Sequence, residues 1–418
     1  MRRRALVMAD QGVSSLSNIV VAIIVARSVS AAEFGAFGVA MVVYQLGLGL
    51  TRAAVTDPLL SQHSHEPPDT RARHVPRMVG SVLTLALASS VVVLAVGLLL
   101  SGPAGQALVA LAWVLPLALV QDLGRYIFVI DRPQSALVID IAWLAGIAVA
   151  LPLAPADAGV GWFVVAWGLS AGVGGLIAAL IERPSPRSIR PVSWLADERE
   201  TSSRYVGEWM SSQLAGNLTT LAVGPIAGLP ALGAVRAVQV LYGPVNTLHA
   251  GIYLAVVPEG TRIRNDRGRL RRLMLASTTL IVAAAAVWMI VCMLLPDSFG
   301  ESLFGASWAR GSDLVVPMGL AMIVSSAATG GFAGIRALGD PRASLRARLA
   351  TMPGELAAPV GGVAVGGASG FVYGLVFARS ITSAIWWRAF DRAARRPPVS
   401  PTAASPADGG LLVAEAHV

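Results

Sequence analysis

The chain has 418 residues and a net charge of +8, but only 13% of its residues are charged and 55% are hydrophobic. Its mean hydropathy is +0.66. A soluble domain carries about 25% charged residues, so this composition excludes a soluble multidomain protein and points to an all-α polytopic membrane protein. The charge would suggest nucleic acid in a soluble chain; here loops facing anionic headgroups account for it, and no nucleic-acid partner is expected.

Apolar runs of about 20 residues match the hydrocarbon thickness of a bilayer. They predict spans near 8–27, 35–56, 78–100, 107–130, 135–154 and 161–181, then near 206–226, 232–257, 273–295, 313–335, 349–365 and 370–390. The segments follow as an N-terminal six-helix lobe (1–182), a cytoplasmic linker (183–205), a C-terminal six-helix lobe (206–390) and a Pro- and Gly-containing tail (391–418) read as disordered. All 32 basic residues are Arg, and 26 of them fall in alternate gaps between spans. The other gaps, among them 28–34, 227–231, 296–312 and 366–369, hold only Arg310. Short Arg-rich loops stay cytoplasmic, so both termini are expected inside. The N-terminal Arg2–Arg4 followed by an apolar run looks like a signal sequence, but it lacks an A-x-A site and reads as an uncleaved first span. The absence of Lys and the abundance of Ala, Gly and Val fit a high-GC bacterial genome.

No gap exceeds about 25 residues, so no soluble catalytic domain is expected. There is no Walker G-x-x-x-x-G-K-[ST] and no H-E-x-x-H, which excludes ATP hydrolysis by this chain and a zincin centre. Cys292 is the single cysteine, which removes disulfides and cysteine metal sites. His63, His65 and His74 share one loop, but Pro67-Pro68 intervenes and they read as solvated. No cofactor, metal or catalytic residue is expected.

The two sets of six spans look related. Asp10 and Glu208 open the first span of each set, 198 residues apart, and Tyr44 and Tyr242 repeat the offset. Ser14–Ser15 and Asn18 are echoed by Ser211–Ser212 and Asn217. Six spans per half give a parallel repeat, and transporters built this way place substrate between halves. Asp10, Ser14 and Ser17, with Gln11, Ser15 and Asn18 beside them, form a polar face on the first span. The serines suit helix packing. For Asp10, Asn18, Glu208 and Asn217, packing stands beside cavity lining or ion coupling.

With Arg388, at the edge of the last span, counted in the C-terminal cluster, five arginines lie inside apolar spans: Arg27, Arg52, Arg125, Arg236 and Arg379. An Arg costs about 2.5–3.5 kcal/mol at a span centre on insertion scales, less near the ends where it snorkels. Four lie near span ends, with Asp122 a candidate partner for Arg125; Arg379 is nearest a centre. The functional reading is a cationic cavity for an anionic substrate, since guanidinium grips phosphate with two parallel hydrogen bonds. Gly243-Pro244 is the best hinge candidate among the Pro-interrupted spans.

Ala26-Arg27-Ser28-x-Ser30-x-x-Glu33-Phe34-Gly35 resembles the start of bacterial Wzx-type flippases of the MOP (multidrug/oligosaccharidyl-lipid/polysaccharide) exporter superfamily. Gln121-Asp122-x-x-Arg125-Tyr126, Asp131-Arg132-Pro133, Asp140 and Ala231-Leu232-Gly233-Ala234-Val235-Arg236-Ala237 up to Tyr242-Gly243-Pro244 are similar to actinobacterial members. The resemblance implies a V-shaped pair of six-helix lobes in a 6+6 parallel repeat, alternating access in the plasma membrane. It implies cargo of undecaprenyl-(pyro)phosphate-linked oligosaccharide or teichoic-acid-like precursors, moved by a monomeric transporter unit. Membrane lipids and a glycan polymerase or glycosyltransferases are the implied partners. Three alternatives remain: a MATE-like ion-coupled drug or cation antiporter, a multi-span glycan enzyme, and a non-enzymatic component of a glycan assembly complex. The five span acids balancing five span arginines disfavour the first, and the short outer gaps disfavour the second.

Overall fold

A computed structural model of the chain describes residues 2–63, 66–183 and 186–395. The tail from 396 onward, including most of the segment expected to be disordered, and His65 lie outside the described residues. The described chain is helical, with no strand. Its described residues divide into two compact units, one within 1–210 with Leu303–Ala306, and one within 211–302 and 307–395.

The first unit contains α1 (Arg2–Ser28), α2 (Ala31–Thr51), α3 (Val75–Leu99), α4 (Gly102–Asp131), α5 (Pro133–Ala150), α6 (Val160–Glu182) and the short α7 (Arg199–Trp209). The turn from α1 to α2 is fixed by a capping box. Ser30 Oγ accepts from the Glu33 N–H at 3.3 Å, and Glu33 Oε2 accepts from the Ser30 N–H at 3.1 Å, satisfying donors that a helix start leaves free. Helix α4 is the unit's central post and packs against α2, α3, α5 and α6. It stays continuous through Pro116, so that proline does not break the span. Small residues let α4 and α6 approach: a Cβ at Gly168 would collide with Val114, the close-contact use of glycine common between membrane helices. Beyond α2 the chain winds into π-helical turns over Arg52–Thr56 and Leu59–His63. The Ser202 hydroxyl of α7 donates to the Ala54 carbonyl of the first turn at 2.7 Å.

The second unit contains α8 (Ala215–Ala227), α9 (Leu229–Leu241), α10 (Gly243–Arg262), α11 (Arg267–Leu294), α12 (Val315–Ala327), α13 (Thr329–Leu338) and α14 (Pro341–Ala394). A π turn over Met210–Leu214 precedes α8. Helices α9 and α10 are bent by 52° at the break between them, beside the predicted Gly243-Pro244 hinge. At the bend Tyr242 is fully buried and its hydroxyl donates to the Val315 carbonyl at 2.9 Å. Helix α14 has 54 residues, but Gly366 and Gly367 leave helical geometry. Gly367 takes φ +57, the left-handed region that favours glycine. Gly362 and Gly370 face each other so closely that a Cβ on either would collide with the other's carbonyl, so α14 is a hairpin of two arms. A core of Leu270, Met274, Ile335, Trp386 and Phe390 joins α11, α13 and the second arm.

Among the described residues nine helices are long and apolar enough to cross a membrane, ten with the bent pair. The α14 hairpin supplies one crossing more than that count gives. The π turn over Met210–Leu214 and α8 lie within the stretch expected as the seventh span, near 206–226, which is not among those that pass this test. Apolar side chains such as Leu99 and Val365, 86% and 93% exposed, face outward as lipid contact requires.

Candidate functional site

Three helices of the first unit and the π turn after α2 meet around a polar core. Arg125, from α4, reaches Asp10 of α1 through Nε and Nη2, at 2.9 and 2.8 Å from Oδ2, and donates from Nη2 to Gln11 Oε1 at 3.0 Å. Its Nε also lies 3.1 Å from Asp140 Oδ2 of α5, and Gln121 Nε2 donates to Asp140 Oδ1 at 3.1 Å. One turn away, Arg52 grips Asp122 with two parallel hydrogen bonds of 2.9 and 2.6 Å. The Tyr126 ring serves both guanidiniums, 5.0 Å from Arg52 and 5.7 Å from Arg125, within cation–π range.

The sequence proximity of Asp122 and Arg125 suggested that those two pair. They do not: Asp122 is taken by Arg52, because Arg125 finds carboxylates on α1 and α5. Asp57 extends the cluster through its electrostatic reach to Arg52 and Asp122, and Glu208 reaches Asp57 in turn. Four carboxylates, Asp10, Asp57, Asp122 and Asp140, thus surround two guanidiniums. Asp10 and Asp140 are 1% and 0% exposed, and Asp10 Oδ1 is buried without a hydrogen-bond partner. A network this dry is costly to disturb, since removing one partner strands a buried charge.

Among the described residues the second unit carries no comparable network. Arg236 of α9 donates from Nη1 to Gln239 Oε1 at 3.0 Å, and Arg379 of α14 from Nη1 to the Ala321 carbonyl at 3.3 Å. Among the described residues neither makes an ion pair. Glu355 acts on Arg379 at longer range, but its own Oε1 accepts from Thr382 at 2.9 Å and its Oε2 lies 3.9 Å from Arg348. His249 of α10 also lies within electrostatic reach of Arg379. A cavity of about 240 Å³ sits at one end of this unit, lined by Arg310, Asp313 and Ser369 among others. It includes neither span arginine.

The remaining expected residues fall in several places. Arg27 is exposed in the last turn of α1. Asn18 and Asn217 do the same thing in both halves: each side-chain amide donates to the carbonyl four residues earlier, Ser14 at 3.2 Å and Gln213 at 3.1 Å.

Sequence reasoning missed a cluster at the Arg-rich end of the first unit. His63 and His74, expected to be solvated, are half-buried and 4.7 Å apart between ring centroids. Pro68 opens a helical turn, Pro68–Ala72, which folds the chain back instead of holding the imidazoles apart. Glu66 lies between them, and its hydrogen bond with His63 holds it below the usual carboxylate range. The buried Trp194 from the 183–205 segment covers both rings. The signal was the two His and one Glu within twelve residues; Trp194 and Glu198 could not be foreseen.

The polysaccharide biosynthesis protein family matches residues 24–313. The chain belongs to this family. Solved structures of low identity share the fold across almost its whole length. An inward-facing multidrug resistance MATE transporter of the MOP superfamily is 14% identical, with a TM-score of 0.66, covering 93% of this chain and 98% of the other. The lipid II flippase MurJ, in an inward closed conformation, is 11% identical with a TM-score of 0.70, covering 93% and 90%. A MOP superfamily transporter from Pyrococcus furiosus, described as having a binding pocket of reverse polarity, is 16% identical with a TM-score of 0.55, covering 94% and 95%. No curated protein matches. The fold is that of the MOP superfamily, and the protein is a multi-pass membrane protein.

Proposed function

We propose that this protein is a flippase that moves undecaprenyl-(pyro)phosphate-linked oligosaccharide, or a teichoic-acid-like precursor, to the outer leaflet by alternating access. Two arginines inside the second unit's spans, Arg236 and Arg379, carry the reading because among the described residues neither makes an ion pair and only Glu355 acts on Arg379, at longer range. A cation kept unpaired in a span costs stability, and an anionic phosphate is the ligand that repays it with bidentate hydrogen bonds. Membership of a polysaccharide biosynthesis family supports a glycan cargo. The surplus of carboxylates over guanidiniums around Arg52 and Arg125 suits coupling to a proton or cation gradient, with Asp10 and Asp140 the best-buried candidates. In this reading Arg52 and Arg125 hold the coupling site together, and the cargo meets Arg236 and Arg379.

The test is glycan export in a host lacking the gene, complemented with Arg236→Ala or Arg379→Ala. Both variants insert at wild-type levels and lose export, with undecaprenyl-linked glycan accumulating on the inner leaflet. Wild-type export by both overturns the reading. Drug efflux from a sensitive strain is the complementary assay, and efflux without any effect on export would favour the antiporter instead.

A further inference from the structure

We propose that the Arg-rich end of the first unit holds a divalent metal ion of the Zn2+ type, with His63, Glu66 and His74 as its protein ligands. The three residues come from three successive pieces of chain: the end of a π turn, the connecting segment, and the residue that opens α3. Glu66 presents one oxygen to each imidazole, Oε1 at 2.8 Å from His63 Nδ1 and Oε2 at 3.1 Å from His74 Nε2. One donor atom from each of the three lies within 4.8 Å of the others. Tetrahedral Zn2+, with bonds of about 2.0–2.2 Å, sets its ligand atoms roughly 3.3 Å apart. The cluster therefore needs only a small adjustment to close on an ion.

Three features beyond the ligands point to a built site. His63 Nε2, on the far side of the ring, lies 3.0 Å from Glu198 Oε1. A carboxylate on the outer nitrogen is how proteins fix the tautomer and orientation of a metal-bound histidine. Trp194 packs on both imidazoles, at 5.3 and 5.5 Å between centroids, and holds their planes. Arg71 Nη1 donates to the backbone carbonyls of Glu66 at 2.8 Å and His63 at 3.4 Å, pinning the chain from which two ligands hang. Two imidazoles and a carboxylate, with no thiolate, form a borderline donor set that suits Zn2+ and leaves a fourth position for water. The ion would clip the end of the second span to the start of the third and, through Glu198, to the segment after the sixth span. This inference is independent of the cargo.

The full-length protein, purified in detergent through a tag that contains no histidine and stripped with chelator, is titrated with Zn2+ alone by calorimetry. Co2+ is then added as a spectroscopic substitute. The wild type takes up one Zn2+ per chain, raises its unfolding temperature on binding, and shows visible d–d absorption with Co2+. Glu66→Gln and His74→Gln abolish uptake, whereas Glu198→Gln weakens it about 10–100-fold, the usual effect of removing a carboxylate from a liganding histidine. His249→Gln leaves it unchanged and controls for adventitious histidine binding. If a ligand variant does not fold, the Glu198→Gln affinity still decides. The proposal is overturned if the wild type binds no Zn2+, if binding survives His63→Gln with His74→Gln, or if His65→Gln abolishes binding while His74→Gln does not.

Discussion

The two units answer the same problem, arginine inside a membrane span, in opposite ways. In the first, Arg52 and Arg125 are surrounded by carboxylates and a shared tyrosine ring, so each charge is satisfied within the protein. In the second, Arg236 and Arg379 lean on an amide and a backbone carbonyl, partners that hydrogen-bond without cancelling charge. The helix plan is repeated but the electrostatics are not. A buried ion pair mainly holds structure, whereas an uncompensated charge is retained against its own cost. Neutralising an arginine in each unit should therefore give effects of opposite kind.

Arg125→Ala carries the largest expected effect. It leaves Asp10 and Asp140 buried without their cation and should cost about 3–5 kcal/mol. The measurement is thermal unfolding in detergent with yield of monodisperse protein. If Arg125→Ala unfolds within a degree of wild type, the core is not the structural element described. Adding Asp10→Asn should recover part of the loss, because the two residues share one interaction and their effects do not add. Arg236→Gln and Arg379→Gln should instead leave stability unchanged or raise it, by at most the roughly 2.5–3.5 kcal/mol that a central arginine costs. The same unfolding assay checks this. A loss as large as that of Arg125→Ala would place both arginines among structural residues.

Most of the helix plan was legible because two signals act over short distances. Apolar runs of membrane length give the spans, and alternate arginine clusters give their order. Even the turn at Gly366–Gly367 showed as a gap between the last two spans. The pairing inside the first unit was not legible, since Asp10 and Arg125 are 115 residues apart and only the packing of α1, α4 and α5 brings them together. The nearer acid, Asp122, was the wrong partner for the same reason. The π turns around Arg52 and His63 leave no periodic trace in so short a stretch. The histidine cluster was read as solvated because its cover, Trp194, and its outer carboxylate, Glu198, come from a distant segment.

The smallest effects sharpen the comparison at equivalent helix starts. In the first unit the chain enters α2 through Ser30 and Glu33, whose reciprocal hydrogen bonds satisfy two backbone donors. The position 198 residues later is Gly228, which opens α9 with no side-chain cap and with Pro230 in the first turn. Its φ and ψ of 89° and 157° lie in a region essentially confined to glycine, where another residue costs about 1–3 kcal/mol. Gly228→Ala should therefore destabilise more than Ser30→Ala, for which loss of a cap costs about 1 kcal/mol. Glu33→Gln should cost less still, because the N3 position of a capping box accepts Gln. Unfolding temperatures of the three variants in one detergent give the ranking. If Ser30→Ala exceeded Gly228→Ala, the first unit's entry turn would depend on the capping box more heavily than its exposed hydrogen bonds allow. The two halves would then differ in their scaffold as well as in their charges.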